Sequence, residues 1–329
     1  MKKVLFLIFL ILSSVLFAGC AAKTEENVSY AMGSAVTQKI YGGKSGTAQK
    51  AINAISALDS LISYRDGNSA IGRLNSGDTV DDKDVVSLLA SSLVLSEETN
   101  GVYDVTVLPV VKAWGFDGDG KTYRLPTDEE IKETLGKVGY KNVVVSDGKA
   151  HLENGVMCDL SAAGKGEACE KAVEVYKEDG VKGAIVTVGG SVGVYGRKDD
   201  GSLFVVGVRD PFDKSGLIGT MTLTDKFIST SGSYEKCFEQ NGVNYHHLLD
   251  ATTGYPAEKG LVSVTVVCDD GGESDSLASA CFCAGIESSL PILVSHSAEA
   301  VFVTNDGKIY VTPGLENVFE ADSFEVIGK

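Results

Sequence analysis

The sequence has no CxxC pair, few positive charges for its length, and no long apolar run beyond its first twenty residues. Seven cysteines stand at positions 20, 158, 169, 237, 268, 281 and 283, and the nearest two are only two residues apart. On a helix such a pair points to different sides, which argues against a zinc site built from paired thiolates. Lys and Arg number 29 against 45 Asp and Glu, a formal charge of −16 that becomes −18 once Lys2 and Lys3 are set aside. So acidic a chain excludes a nucleic-acid binder, which depends on Lys and Arg to neutralise phosphates. It also means that any bound pyrophosphate needs a local cation, either a metal or a placed lysine. No P-loop of GxxxxGK(S/T) spacing occurs. Nor is there an internal repeat, a low-complexity tract or a Pro/Ser-rich linker after residue 30. With 43% hydrophobic and 8% aromatic residues, the 329-residue chain reads as one large domain or two intimate lobes.

What is present begins with a secretory signal. Lys2 and Lys3 open it, residues 4–17 are apolar apart from Ser13 and Ser14, and it ends in Leu16-Phe17-Ala18-Gly19-Cys20. The run falls short of the roughly 20 residues that a spanning helix needs and has the layout of a signal peptide. The small residues before Cys20 resemble a bacterial lipobox, with Phe17 where Leu is usual. The expected organisation is a signal over 1–19, a lipidated Cys20, a polar tether over 20–29 and a folded domain over 30–329. Export and a lipid anchor on the extracytoplasmic face of the cell membrane follow from it. The remaining six cysteines lie mostly in apolar runs, which predicts buried thiols rather than disulfides.

Apolar residues at three- and four-residue steps predict helices over 47–64, 84–98 and 163–178. Thr127 and Glu130 have capping-box spacing for a helix over 127–135. Two more helices are expected over 273–284 and 288–295. Strands are expected over 142–145, 183–188, 203–208, 219–223, 227–230, 262–267, 300–304 and 308–312, the last two joined by the turn Asn305-Asp306-Gly307. Strand neighbours joined by short turns predict an α+β fold with antiparallel or mixed sheet and packed helices, not a doubly wound parallel sheet.

Four segments carry residues suited to chemistry. Asp159-Leu160-Ser161-Ala162-Ala163-Gly164-Lys165-Gly166 stands at a helix entrance, where small residues admit a ligand and the free amides favour an anion. It reads either as a diphosphate cradle with Lys165 as its charge or as a plain helix start with a surface lysine. Gly189-Gly190-Ser191-Val192-Gly193 after a strand fits a ligand contact or a tight turn equally well. Two of the four histidines, His246 and His247, lie between Thr230-Ser231-Gly232-Ser233 and Gly254-Tyr255-Pro256. One of them can act as acid or base near neutral pH, or one packs and the other is solvated. On a helix, Asp275 and Ser279 share a face. A carboxylate and a hydroxyl there suit a hard cation such as magnesium, while a carboxylate at a helix start also stabilises the dipole.

Taken in order, these segments resemble the ApbE family of FAD:protein FMN transferases, over about residues 30–311. The resemblance rests on Ala31-Met32-Gly33-Ser34, on Ser63-Tyr64-Arg65-Asp66-Gly67-Asn68-Ser69 with Arg73-Leu74-Asn75, and on Gly101-Val102-Tyr103-Asp104-Val105-Thr106-Val107 with Pro109 and Trp114-Gly115-Phe116. It continues through Asp159 to Gly166, Val188-Gly189-Gly190, His247 to Pro256, Ser263-Val264-Thr265-Val266 and Asp275 to Ala280. The resemblance implies a T-fold-like architecture and FAD as the substrate. It implies flavin contacts at Met32, Tyr64, Val102, Tyr103, Asp104, Asp159, Lys165 and Leu249, with the flat ring of Tyr64 suited to stacking on the isoalloxazine. It places magnesium on Asp275, Ser279 and the carbonyls of Ala162 and Ala278, and makes His247 the acid/base group.

The implied reaction moves FMN from FAD to a Thr or Ser hydroxyl of an acceptor flavoprotein, a subunit of a membrane redox complex, and releases AMP. If water replaces the acceptor the same site is an FAD pyrophosphatase, and without turnover it is a flavin-binding lipoprotein. The chain departs from the family pattern at Ser279 and Ser34, where Thr is usual, at Ala251 in place of Pro, and at Gly67-Asn68 in the tyrosine loop. The hydroxyl at 279 is kept, and with it a metal ligand.

Overall fold

A computed structural model of the chain describes residues 24–118, 120–213, 215–322 and 326–328. The signal over 1–19 and Cys20 lie outside them. The chain builds one nine-stranded sheet whose strands follow each other in sequence order: β1 Thr24–Ala31, β2 Ser34–Gly42, β3 Val181–Val188, β4 Ser191–Gly196, β5 Lys226–Gly232, β6 Leu261–Cys268, β7 Glu299–Thr304, β8 Ile309–Val311 and β9 Val326–Gly328. Neighbours are antiparallel except β8 and β9, which run parallel. The expected α+β fold with a mainly antiparallel sheet is present. Residues 24–29, expected as tether, are instead paired strand, with Thr24 opposite Tyr41 and Tyr30 opposite Ala35. They show no apolar alternation because β1 is an edge strand with only Ala31 buried.

The helices are α1 Thr47–Ile62, α2 Ala70–Asn75, α3 Lys83–Glu98, α4 Leu108–Trp114, α5 Asp128–Leu135, α6 Ser161–Glu178, α7 Gly271–Ala284 and α8 Ile286–Ser295. One sheet face is covered by α1, α6 and α7 around Ile55, Val173, Val186, Val264 and Phe282. The other face is covered by a small sheet of Phe319–Ala321, Leu217–Leu223 and Phe204–Arg209, whose Phe204, Val206 and Met221 meet Ile228, Val262 and Val301. Strand β6 lies between both layers and all eight of its residues are buried, including the polar Ser263 and Thr265. A third apolar cluster, around Val110, Trp114, Phe116, Ile131 and Leu249, carries the hairpin Cys237–Gln240/Val243–His246. The six described cysteines are all free, and all but Cys237 are buried, as expected.

The crossing of α6 and α7 decides the geometry of the site. A Cβ on Gly166 would stand 1.9 Å from the Gly271 carbonyl oxygen, and one on Gly271 would stand 2.3 Å from that of Gly166. Only glycine lets the two helix backbones touch in this way. The contact puts the next turn of α7 directly against the first turn of α6.

Candidate active site

Asp275 lies one turn beyond Gly271, on the same face of α7. Its Oδ2 accepts the amides of both Lys165 and Gly166 at 3.0 Å. In a regular helix those amides serve the carbonyls of Ser161 and Ala162. Sharing them with Asp275 leaves the Ala162 carbonyl with spare acceptor capacity beside a carboxylate. Burial pushes the Asp275 carboxyl above the usual range, and Lys165 is the largest influence pulling it back. Ser191, at the start of β4, also bonds to it. Ser191 is in turn held by Ser229 at 3.0 Å, and Ser229 lies 2.8 Å from Ser274. Ser279, one turn after Asp275, is half-buried with its Oγ 3.0 Å from that of Ser231. A carboxylate and a hydroxyl one turn apart on α7, with Asp275 held against the backbone of α6, are hard oxygen donors of the kind that suits magnesium.

Around this point the chain gathers the other expected residues. Met32 forms the tip of the β1–β2 turn at φ 54°, with its amide bonded to Asp59 Oδ2 at 2.9 Å. It lies beside α6, since a Cβ on Gly164 would stand 3.0 Å from Met32 Cε. Lys165 reaches back along the β3–β4 turn, its Cδ 3.3 Å from where a Cβ on Gly189 would be. Asp159 accepts the Ser161 amide at 2.8 Å, and the segment before it is pinned because Asn75 bonds both the amide and the carbonyl of Cys158. Burial raises Asp159; Ser161, Lys236 and Arg65 lower it. Tyr64 is half-buried with the Arg65 guanidinium 4.5 Å from its ring centre, and burial followed by Asp159 holds its phenol in the neutral form.

His247 approaches from the hairpin. Its amide donates to the Lys236 carbonyl at 3.0 Å, and its ring meets Phe116 edge-on with centres 6.4 Å apart. Burial, then Lys236 and Lys165, lower its pKa to about 3, so the imidazole is neutral near pH 7. Lys165 is within electrostatic range of both His247 and Asp275. His247 Nδ1 is buried without a hydrogen-bond partner among the described residues.

The remaining expected residues are held by contacts of their own. Val102 is half-buried and its carbonyl accepts the Ala251 amide at 3.0 Å. Tyr103 is buried, its phenol pushed up to about 12 by that burial. The Asp104 carboxylate accepts the amides of Thr106 at 2.7 Å and Tyr140 at 2.8 Å, so it fastens the loop to the body of the protein. Leu249 is buried in the third apolar cluster opposite Pro256, and Ala278 is buried on α7 between the two proposed ligands. The sequence reading pointed to Ser191 and Ser231 only as members of their segments, with no role of their own, and not to Lys236. Lys236 was accessible to it, because Asn241-Gly242 marks a two-residue hairpin turn, and the pairing of Cys237 with His246 then sets residue 236 opposite 247.

A second acidic group lies elsewhere. Glu167, Glu170 and Asp270 bring carboxylate oxygens within 4.8 Å of one another. They line a cleft between α3, α6 and α7. There Lys171 stands 3.3 Å from Glu167, and Glu170 caps the Gly271 amide at 2.6 Å. It contains none of the expected metal ligands.

Comparison with known proteins bears on the family and the fold. The model of the ApbE family matches residues 32–302. An FAD:protein FMN transferase of Treponema pallidum is 30% identical over 279 residues, covering 78% of this chain and 76% of that protein. One of Escherichia coli K12 is 27% identical over 274 residues, covering 80% of this chain and 78% of that protein. Among solved structures, the ApbE protein of Thermotoga maritima superposes with a TM-score of 0.83 at 30% identity, covering 90% of this chain and 99% of that one. The apo flavinyl transferase ApbE of Pseudomonas stutzeri gives 0.80 at 26% identity, over 92% of this chain and 98% of that one. From its ordered motifs, its fold and these relatives, the chain belongs to the ApbE family.

Proposed function

We propose that this protein is an FAD:protein FMN transferase, moving FMN from FAD onto a Thr or Ser hydroxyl of an acceptor flavoprotein with release of AMP. The observation that carries the reading is the meeting of Asp275 with the first turn of α6, beside Lys165 and a neutral His247. The helix start and Lys165 attract the diphosphate of FAD. Lys236, within electrostatic range of Lys165 and His247, adds a second positive charge, and Tyr64 and Met32 are the residues that would meet the flavin ring. Asp275, Ser279 and the carbonyls of Ala162 and Ala278 are the residues that would hold magnesium, which when bound offsets the charge of the phosphates in phosphoryl transfer. The acceptor hydroxyl oxygen forms a bond to the FMN phosphorus as the bond to the AMP oxygen breaks. His247 takes the hydroxyl proton, a role that requires the neutral imidazole described above.

The acceptor belongs to a membrane redox complex on the same reading, and Cys20 carries a lipid that keeps the enzyme on the extracytoplasmic face of the membrane. The direct experiment incubates residues 21–329 with FAD, magnesium and a Thr-bearing acceptor domain, then looks for flavin fluorescence on the denatured acceptor band while assaying AMP. Label on the acceptor, abolished by EDTA and by Asp275→Ala, is expected. AMP release without an acceptor would replace the transferase with an FAD pyrophosphatase. Intact FAD that stays bound would reduce the protein to a flavin carrier.

A further inference from the structure

Several hydroxyls on or next to the helices of this protein share a local habit. Ser60, Ser76, Ser96, Thr134 and Ser289 each donate to the carbonyl four residues back, at 2.7 to 3.0 Å. This local bond is the usual resting place of a helical Ser or Thr side chain. Ser279 breaks the habit. Its side-chain hydrogen-bond partner among the described residues is Ser231 on β5, oxygen to oxygen at 3.0 Å. Ser231 is buried, 8% exposed, and likewise has no other side-chain bond among them. It stands there because β5 alternates: Phe227, Ser229 and Ser231 face α7, while Ile228 faces the small sheet.

We propose that Ser231 is a positioning residue for the metal site: it accepts the hydroxyl proton of Ser279 and so turns the lone pairs of Ser279 toward the cation beside Asp275. The inference rests on the metal reading of Ser279 given above. Two physical points support it. An unbranched serine has no methyl group to restrict χ1, so its rotamer is set by whatever its hydroxyl bonds. A hydroxyl bound to a divalent cation offers a lone pair and keeps its proton, which needs an acceptor of its own. Outer groups that fix a ligand in this way typically contribute 10- to 100-fold in metal affinity.

The test uses the full chain, with Mn2+ in place of magnesium and free Mn2+ followed by electron paramagnetic resonance, with and without FAD. Ser231→Ala should weaken Mn2+ binding about tenfold while the metal-free unfolding midpoint stays near that of the parent. In the Ser279→Ala background the same change should add nothing. Ser231→Thr, which keeps the acceptor, should bind near the parent level. Should the alanine variant not fold, Ser231→Cys is read instead, since a thiol is a weak acceptor of similar size and must also weaken Mn2+. Parent-like binding by Ser231→Ala or Ser231→Cys overturns the inference, as does equal weakening in both backgrounds. If Ser279→Ala itself binds Mn2+ like the parent, the metal assignment on α7 falls first and this inference falls with it.

Discussion

His246 and His247 are adjacent in sequence and both are uncharged in the folded protein, their pKa values lowered mainly by burial to about 4 and about 3. Glu167 moves the opposite way, pushed up by burial to about 7. The signs follow from comparing folded with unfolded chains. Below pH 6.5 each histidine binds a proton in the unfolded chain that the folded chain refuses, so both weaken the fold as pH falls, by about 1.4 kcal/mol per pH unit each. Glu167 takes its proton in the folded state first, so between pH 7 and 4.5 it strengthens the fold by a similar slope. Glu167→Gln removes that compensation. Urea unfolding at pH 7 and pH 5 should show the variant losing about 2 kcal/mol more than the parent over that interval; equal losses would mean Glu167 is already ionised at neutral pH. In the folded state His247 stays neutral over this range.

At the scale of elements, the site depends on two helices whose backbones touch. Gly166→Ala inserts a methyl group 1.9 Å from a carbonyl oxygen, a clash that must part α6 from α7. The expected cost is about 1–3 kcal/mol, despite the roughly 1 kcal/mol that alanine gains over glycine in a helix. Binding of FAD should weaken together with stability, because the amides of residues 165 and 166 leave Asp275. A variant that unfolds and binds FAD like the parent would show that the crossing has slack. The helices themselves were legible: the periodicity over 84–98 and the capping box at Thr127 correspond to α3 and to a formed Thr127–Glu130 cap. What the sequence concealed were elements without an apolar pattern. Strand β1 is mostly exposed, and β2 points a polar Gln38 inward, where it bonds the Ala48 carbonyl at 3.1 Å and Tyr176 at 2.7 Å. The motif residues were legible one by one. Their pairing was not, since Asp275 and Lys165 are 110 positions apart and meet only through the glycine crossing.

At the scale of the whole molecule, the early start of β1 bears on the proposed anchor. Only Ala21, Ala22 and Lys23 separate Cys20 from Thr24, a reach of at most about 14 Å. The turn bearing Met32 lies roughly 25 Å farther on, at the other end of β1. A lipid on Cys20 would therefore hold the catalytic body close to the bilayer, where a membrane-bound acceptor presents its hydroxyl. Cys20→Ala should shift the protein from the membrane to the soluble extracytoplasmic fraction, and continued sedimentation with membranes would refute the anchor. The same compactness has an optical consequence. The chain contains one tryptophan, Trp114, fully buried with its indole N–H on the Gly254 carbonyl at 2.8 Å and its ring stacked near Phe116, which meets His247. Its tryptophan emission thus comes from a single place, and a movement of the hairpin that seats His247 would be written into that one spectrum without a label.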